Sequence, residues 1–146
     1  MSKRAFALFA QDRPRPLNIV GEKITVLASK QATGGYEVFL QEGDEGTGPP
    51  PHEHAWDESF YVIEGEIEFG IGDDQMTARP GTLVHLPAGT VHWFRFGAGG
   101  GRMLSMTGEG SDAAAFFTAC DSEIPDGSPD VEKLTAVASR HAVRLS

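Results

Sequence analysis

The chain has 146 residues, 21 acidic side chains against 12 basic ones, a net charge of −9 and a single cysteine. That length suits one domain, which buries roughly 68–70% of its unfolded surface around one core. The charge excludes nucleic acid and anionic membranes as partners, since both require clustered lysine and arginine. A single cysteine excludes an intrachain disulfide, and the expected compartment is a reducing cytoplasm.

Residues 1–10 place Lys3 and Arg4 before an apolar run of about six residues that ends at Gln11, Asp12 and Arg13, short of the 7–15 residues of a secretory signal. No later stretch reaches transmembrane length. Arg13-Pro14-Arg15-Pro16 admits neither a helix nor a central strand, so residues 1–21 read as an extended arm. From there the pattern is β. Ile24, Val26 and Ala28 alternate with Lys23, Thr25 and Leu27, and Tyr36, Val38 and Leu40 alternate with Glu37, Phe39 and Gln41. Residues 43–51 form a Gly/Pro-rich crossing in which Pro49, Pro50 and Pro51 stiffen the approach to His52. Residues 58–63 and 66–71 flank Gly65 as consecutive antiparallel strands, and short strands follow at 75–79, 83–86, 91–96 and 103–107.

Beyond the glycine cluster at 97–101 and the last of these strands, helix formers take over. Ser111 is placed to cap a helix over 112–120. Ser128 is placed to cap a second, with Pro129 at its first position and Asp130 and Glu132 in its first turn. Val131, Leu134, Val137, Ala138 and His141 recur at helical spacing, with Arg140 and a solvated His141 near the C-terminal dipole. The expected organisation is an arm at 1–21, an antiparallel β-barrel at 22–108 and a helical tail at 109–146 packed on it. No segment is duplicated, so one barrel is expected.

Three histidines and an acid stand out. His52 and His54, one residue apart in extended chain, project from one face. Glu58 follows, and His92 lies in an aromatic-rich strand after the Pro87-Ala88-Gly89 turn. Three imidazoles and one carboxylate suit a borderline divalent metal. Four residues of straight strand would carry Glu58 roughly 13 Å from His54, so a bend is required at Ala55, Trp56 and Asp57. Asp57 is the alternative acid, were that bend one residue shorter. His92 shares its face with Phe94 and Phe96; with Phe60 and Val62 these supply an apolar interior. His85 reads as a structural histidine, and Cys120, among Ala and Phe, as a small buried hydrophobe without a role.

Gly46, His52, His54, Glu58 and Gly65 follow the spacing G-x5-H-x-H-x3-E-x6-G, and Gly81, Pro87, Gly89 and His92 follow G-x5-P-x-G-x2-H. In this the chain resembles the cupin family, whose two signatures these are, over about a third of its length. It departs at Phe96, where cupins usually carry asparagine, which makes that corner more apolar. The resemblance implies an all-β fold, an antiparallel, jelly-roll-like cupin barrel with the helical tail appended. It also implies one divalent transition metal (Fe, Mn, Ni, Co, Cu or Zn) on His52, His54, Glu58 and His92, and a homodimer. The stretches around Pro49–His54 and Glu58–Phe69, with the two terminal helices, resemble the quercetin dioxygenase-like branch. That implies oxygenation of an enol or phenol small molecule, with Glu58 as ligand and catalytic base. Isomerase, decarboxylase or lyase chemistry on a small oxo-acid, and non-catalytic small-molecule binding, are the rival expectations.

Overall fold

The computed structural model describes residues 4–124 and 130–146. Eleven strands among them form two antiparallel sheets. In chain order these are β1 (Leu17–Ile19), β2 (Glu22–Ala28), β3 (Glu37–Gly43), β4 (His52–His54), β5 (Glu58–Glu64), β6 (Ile67–Ile71), β7 (Asp74–Ala78), β8 (Leu83–Leu86), β9 (His92–Phe96), β10 (Gly101–Thr107) and β11 (Val143–Leu145). One sheet runs β1-β2-β3-β10-β5-β8 and the other β11-β4-β9-β6-β7. Helices α1 (Lys30–Thr33), α2 (Ala113–Glu123) and α3 (Val131–Ser139) complete the fold.

Alternation gives each sheet one apolar face, and the two faces close on each other. At one end, one cluster of this filling is built of large apolar side chains. Phe60 and Val62 of β5, Ile67 and Phe69 of β6, Phe94 and Phe96 of β9 and Met103 of β10 are all at most 4% exposed. The rings of Phe60, Phe69, Phe94 and Phe96 meet at centroid distances of 5.4–5.9 Å. Burying one such ring stabilises by about 1.5–3 kcal/mol, and an aromatic pair adds about 0.5–1.5 kcal/mol. Phe96, which stands in place of a polar residue, lies against Gly43, where a Cβ would come within 2.3 Å of its ring. Gly65 turns β5 into β6 at φ 75°, and a Cβ there would meet the Gly100 carbonyl oxygen at 2.2 Å, so only glycine serves.

At the other end, α2 and α3 lie over the sandwich, packing Phe116, Cys120, Leu134 and Val137 with Ile24, Phe39 and Trp56. Burial pushes the Cys120 thiol up to about 12, which keeps it an inert hydrophobe.

Several expectations needed correction. On β3 Glu37, Phe39 and Gln41 are buried and so is Leu40, whereas Tyr36 is exposed and Val38 only partly buried. The reason lies in α2. Glu37 Oε1 accepts from Ala114 N at 3.0 Å and from Ser111 Oγ at 2.9 Å, so a buried carboxylate satisfies the helix N-terminus. Asp112, not Ser111, occupies the cap position, although Ser111 Oγ accepts from Ala113 N. The second tail helix is capped by Asp130, whose side chain accepts from Lys133 N, instead of carrying Asp130 in its first turn; Ser128 and Pro129 lie outside the described residues. His141 is partly buried, its Nδ1 2.6 Å from Asp112 Oδ2, and not solvated. The tail does not end helical: β11 returns to the sheet and pairs with β4. Within the arm, residues 17–19 form β1, and Ser29 caps the short α1 between β2 and β3.

Candidate metal centre

The crossing at 43–51 is stitched to β9 before it delivers its histidines. Gly46 N donates to the Phe96 carbonyl at 2.8 Å, and Phe96 N donates to that of Thr47 at 2.9 Å. Gly48, at φ 152°, presses so close that a Cβ would stand 2.0 Å from the Phe94 carbonyl oxygen. The prolines then carry the chain into β4, which pairs with β9 through His52 and His92 and with β11 on its other side. After the bend at 55–57, Glu58 opens β5 in the facing sheet, with its side chain buried. Asp57 points elsewhere: its Oδ1 accepts from Ala88 N at 2.9 Å and so clips the turn that leads to His92.

Each imidazole is oriented by a backbone carbonyl two residues away. His52 Nδ1 lies 2.8 Å from the Pro50 oxygen, His54 Nδ1 2.9 Å from that of Trp56, and His92 Nδ1 2.8 Å from that of Thr90. A carbonyl only accepts, so all three Nδ1 atoms carry a proton, and Nε2 is the atom that each ring turns toward its neighbours. The three rings face one another at centroid distances of 4.2, 5.0 and 5.8 Å, with ligand atoms within 4.8 Å of one another. Trp56 stacks on His54 at 4.6 Å and 9°, fixing that ring from behind. Burial, reinforced by the neighbouring His92, pushes the His52 imidazole down to about 3. Burial also lowers His92, against the opposing pull of Glu58. Both are therefore neutral near pH 7, the form that donates to a metal.

The Nε2 atoms differ in what they meet: His54 Nε2 has Glu58 Oε1 as its hydrogen-bond partner, and the buried His92 Nε2 has none. His54 Nε2 lies 2.9 Å and His92 Nε2 3.8 Å from Glu58 Oε1. His54 Nε2 and Glu58 Oε1 thus stand side by side as two atoms able to ligate one cation. Neighbouring ligands on an octahedral ion with bonds of about 2.1 Å stand about 3.0 Å apart, so the spacing fits a divalent metal. His52, His54, Glu58 and His92 are the residues that could hold it.

The four side chains singled out in the sequence thus come together, and His85 does not join them; it is exposed and bonded to Ser59 Oγ at 2.9 Å. Sequence reasoning missed three other buried residues, Glu22, Gln41 and Trp56, which line the same cavity as His52, His54 and Glu58. A signal existed for two of them: Glu22 shares parity with Ile24 and Val26, and Gln41 with Phe39, so each is a polar residue in phase with an inward apolar face. The rest of the cavity wall is largely apolar, with Ile24, Phe60, Phe94, Phe116 and Leu134 among its members and no lysine or arginine among its described residues. No helix among the described residues is long and apolar enough to cross a membrane.

Comparison with known proteins follows the same lines. Quercetin 2,3-dioxygenase of Bacillus subtilis is 34% identical over 71 residues, which cover 48% of this chain and 21% of that enzyme, so the chain spans only about a fifth of its relative's length. Among solved structures, KdgF from Halomonas sp. superposes with a TM-score of 0.69 at 17% identity, covering 76% of this chain and 99% of the other. An RmlC-like cupin from Shewanella frigidimarina gives 0.68 at 17% identity, covering 78% and 99%. At such identities these structures speak for the fold alone. The cupin domain model matches residues 34–106, half of the chain and the part that carries all four converging side chains, and the chain accordingly belongs to the cupin family.

Proposed function

We propose that this cupin holds one divalent transition metal on His52, His54, Glu58 and His92 and is a dioxygenase acting on a small enol or phenol. The observation that carries the metal assignment is the set of three imidazoles, each with Nδ1 held by a backbone carbonyl and their ligand atoms within 4.8 Å of one another, with Glu58 Oε1 facing two of them. The similarity to a quercetin dioxygenase supports the substrate class, and so does the cavity wall. An aromatic enol or phenol is mostly apolar and enters uncharged, matching a wall without lysine or arginine among its described residues.

When bound, the metal supplies Lewis acidity toward an oxygen-donor substrate and, if redox-active, a route for electrons to dioxygen. The protein's own part is more specific. Glu58 is the one carboxylate facing the imidazoles, and beside ligating the metal it would accept the hydroxyl proton of the incoming substrate. Trp56 and the backbone carbonyls keep the imidazoles from turning. Phe60, Phe94, Phe116 and Leu134 exclude water, which strengthens electrostatic interactions inside and protects reactive species from hydrolysis.

The experiment reconstitutes the protein with Fe, Mn, Ni, Co, Cu or Zn in turn and follows oxygen uptake with flavonols and small enolisable diketones. Expected is about one equivalent of bound metal and metal-dependent oxygen consumption that is lost on chelation. A protein that takes up none of these metals would falsify the centre; substrate loss without oxygen uptake would move the reaction to the Lewis-acid class.

A further inference from the structure

Glu22 is 4% exposed, and its Oε1 has no hydrogen-bond partner among the described residues. Gln41, 2% exposed, spends its amide on Ser105, with Nε2 donating to Oγ at 2.9 Å, and leaves Oε1 unpaired. Both line the cavity that contains His52, His54 and Glu58, and both stand on the sheet facing the histidines. Buried polar atoms are ordinarily paired, and two unpaired oxygens in one cavity are the mark of a ligand's polar group. The turn that presents Glu22 is itself strained: Val20 and Gly21 both have positive φ, 51° and 88°, in a two-residue hairpin, and Val20 is β-branched.

We propose that Glu22 and Gln41 form a second polar subsite in the substrate cavity, which receives a neutral hydroxyl of the substrate away from its metal-binding oxygens and turns away anions. The inference rests on the metal-centre reading above and specifies what the remainder of the substrate carries. Burial, with the Glu58 charge adding to it, holds the Glu22 carboxyl well above the usual carboxylate range, so it enters this environment as an uncharged acid. An uncharged Glu22 offers one O–H donor, and Gln41 Oε1 offers an acceptor. A hydroxyl is the group that answers both, because it accepts and donates through one atom. A carboxylate or phosphate would bring its charge among Glu22, Glu58 and apolar walls with no lysine or arginine to meet it.

The test measures affinity for three probes in the zinc-loaded protein without oxygen: catechol, 1,2,4-benzenetriol, which adds one hydroxyl, and 3,4-dihydroxybenzoate, which adds a carboxylate. Wild type is expected to gain about tenfold from the added hydroxyl and to lose at least as much from the carboxylate. Glu22→Leu and Gln41→Leu are expected to erase the gain while leaving zinc content and catechol affinity within about twofold. Glu22→Leu is also expected to raise the melting temperature, since it removes a buried unpaired group; a residue present only to stabilise the fold would lower it. Catechol binding without any hydroxyl gain, or equal binding of the carboxylate, overturns the subsite and leaves the metal centre standing. Should wild type take up neither zinc nor any of the other five metals, the centre fails instead, and the subsite is read from the metal-free protein: resorcinol then raises the melting temperature of wild type but not of Glu22→Leu, and an equal response in both overturns it.

Discussion

The two ends of this sandwich are built from the same strands and differ in kind. Toward one end, Phe60, Phe69, Phe94, Phe96, Met103 and Leu86 interlock as an apolar cluster, of which Phe60 and Phe94 also wall the cavity. Toward the other, under α2 and α3, buried space is shared with Glu22, Gln41, Glu58, His52 and His54, and oxygen or nitrogen atoms of Glu22, Gln41, Trp56 and His92 go unpaired. The sealed end holds the sheets together so that the other can tolerate polar groups that weaken it. Stability and chemistry are therefore separable along the barrel axis, and mutations should sort by end.

The sharpest break of that comparison is at the sealed end. Phe69→Ala, in the middle of the aromatic cluster, should cost about 3–5 kcal/mol in denaturant unfolding, comparable to the whole stability of many domains, while the fraction that folds still binds one metal. At the other end, Glu58→Gln should reverse the pattern. Turnover is expected to fall about 10²–10⁴-fold, since the amide keeps a coordinating oxygen but cannot accept a proton, with the unfolding midpoint nearly unchanged. Equal losses of metal and turnover would show that Glu58 acts only as a ligand.

Removing the metal should come next in size. Chelation from a hundredfold excess over the dissociation constant should lower stability by about 2.7 kcal/mol, and His92→Ala should abolish that response. The smallest effect carries the opposite sign. Glu22→Leu should stabilise by about 1–3 kcal/mol at neutral pH. Because the native Glu22 carboxyl titrates above its unfolded counterpart, the native state holds the extra proton between those two values. Stability of the wild type must then fall as pH rises through that window, and Glu22→Gln should flatten the slope in a urea titration run across it.

Much of this was legible because the relevant signals are short-range. Period-two alternation marks β5, β6 and β9 directly, since each has one face buried and one wet. The spacing of His52, His54, Glu58 and His92 is visible because β4 and β9 are neighbours whose paired histidines are set by turn geometry at Pro87-Ala88-Gly89 and the bend at 55–57. Alternation on β3 sets Glu37 and Gln41 with Phe39 without saying which face is inward; that one caps α2 and the other bonds Ser105 is decided by tertiary structure. The three-residue β11 was hidden behind a helical pattern, because its partner is about ninety residues earlier and no local periodicity announces it. Glu22 carried its clue in parity alone.

That distant pairing has a consequence for the order of folding. β4 bears two of the imidazoles, yet its outer neighbour, β11, reaches it only after α2 and α3 have been laid down, with Val143 opposite His54 and Leu145 opposite His52. Closing so long a loop is entropically slow, and such contacts form after local hairpins such as β6–β7. The imidazole strand is thus among the last segments to be locked on both sides. During refolding, a metal ion would meet its histidines while the flanking edge is still open, so metal capture can precede the final closure of the sheet.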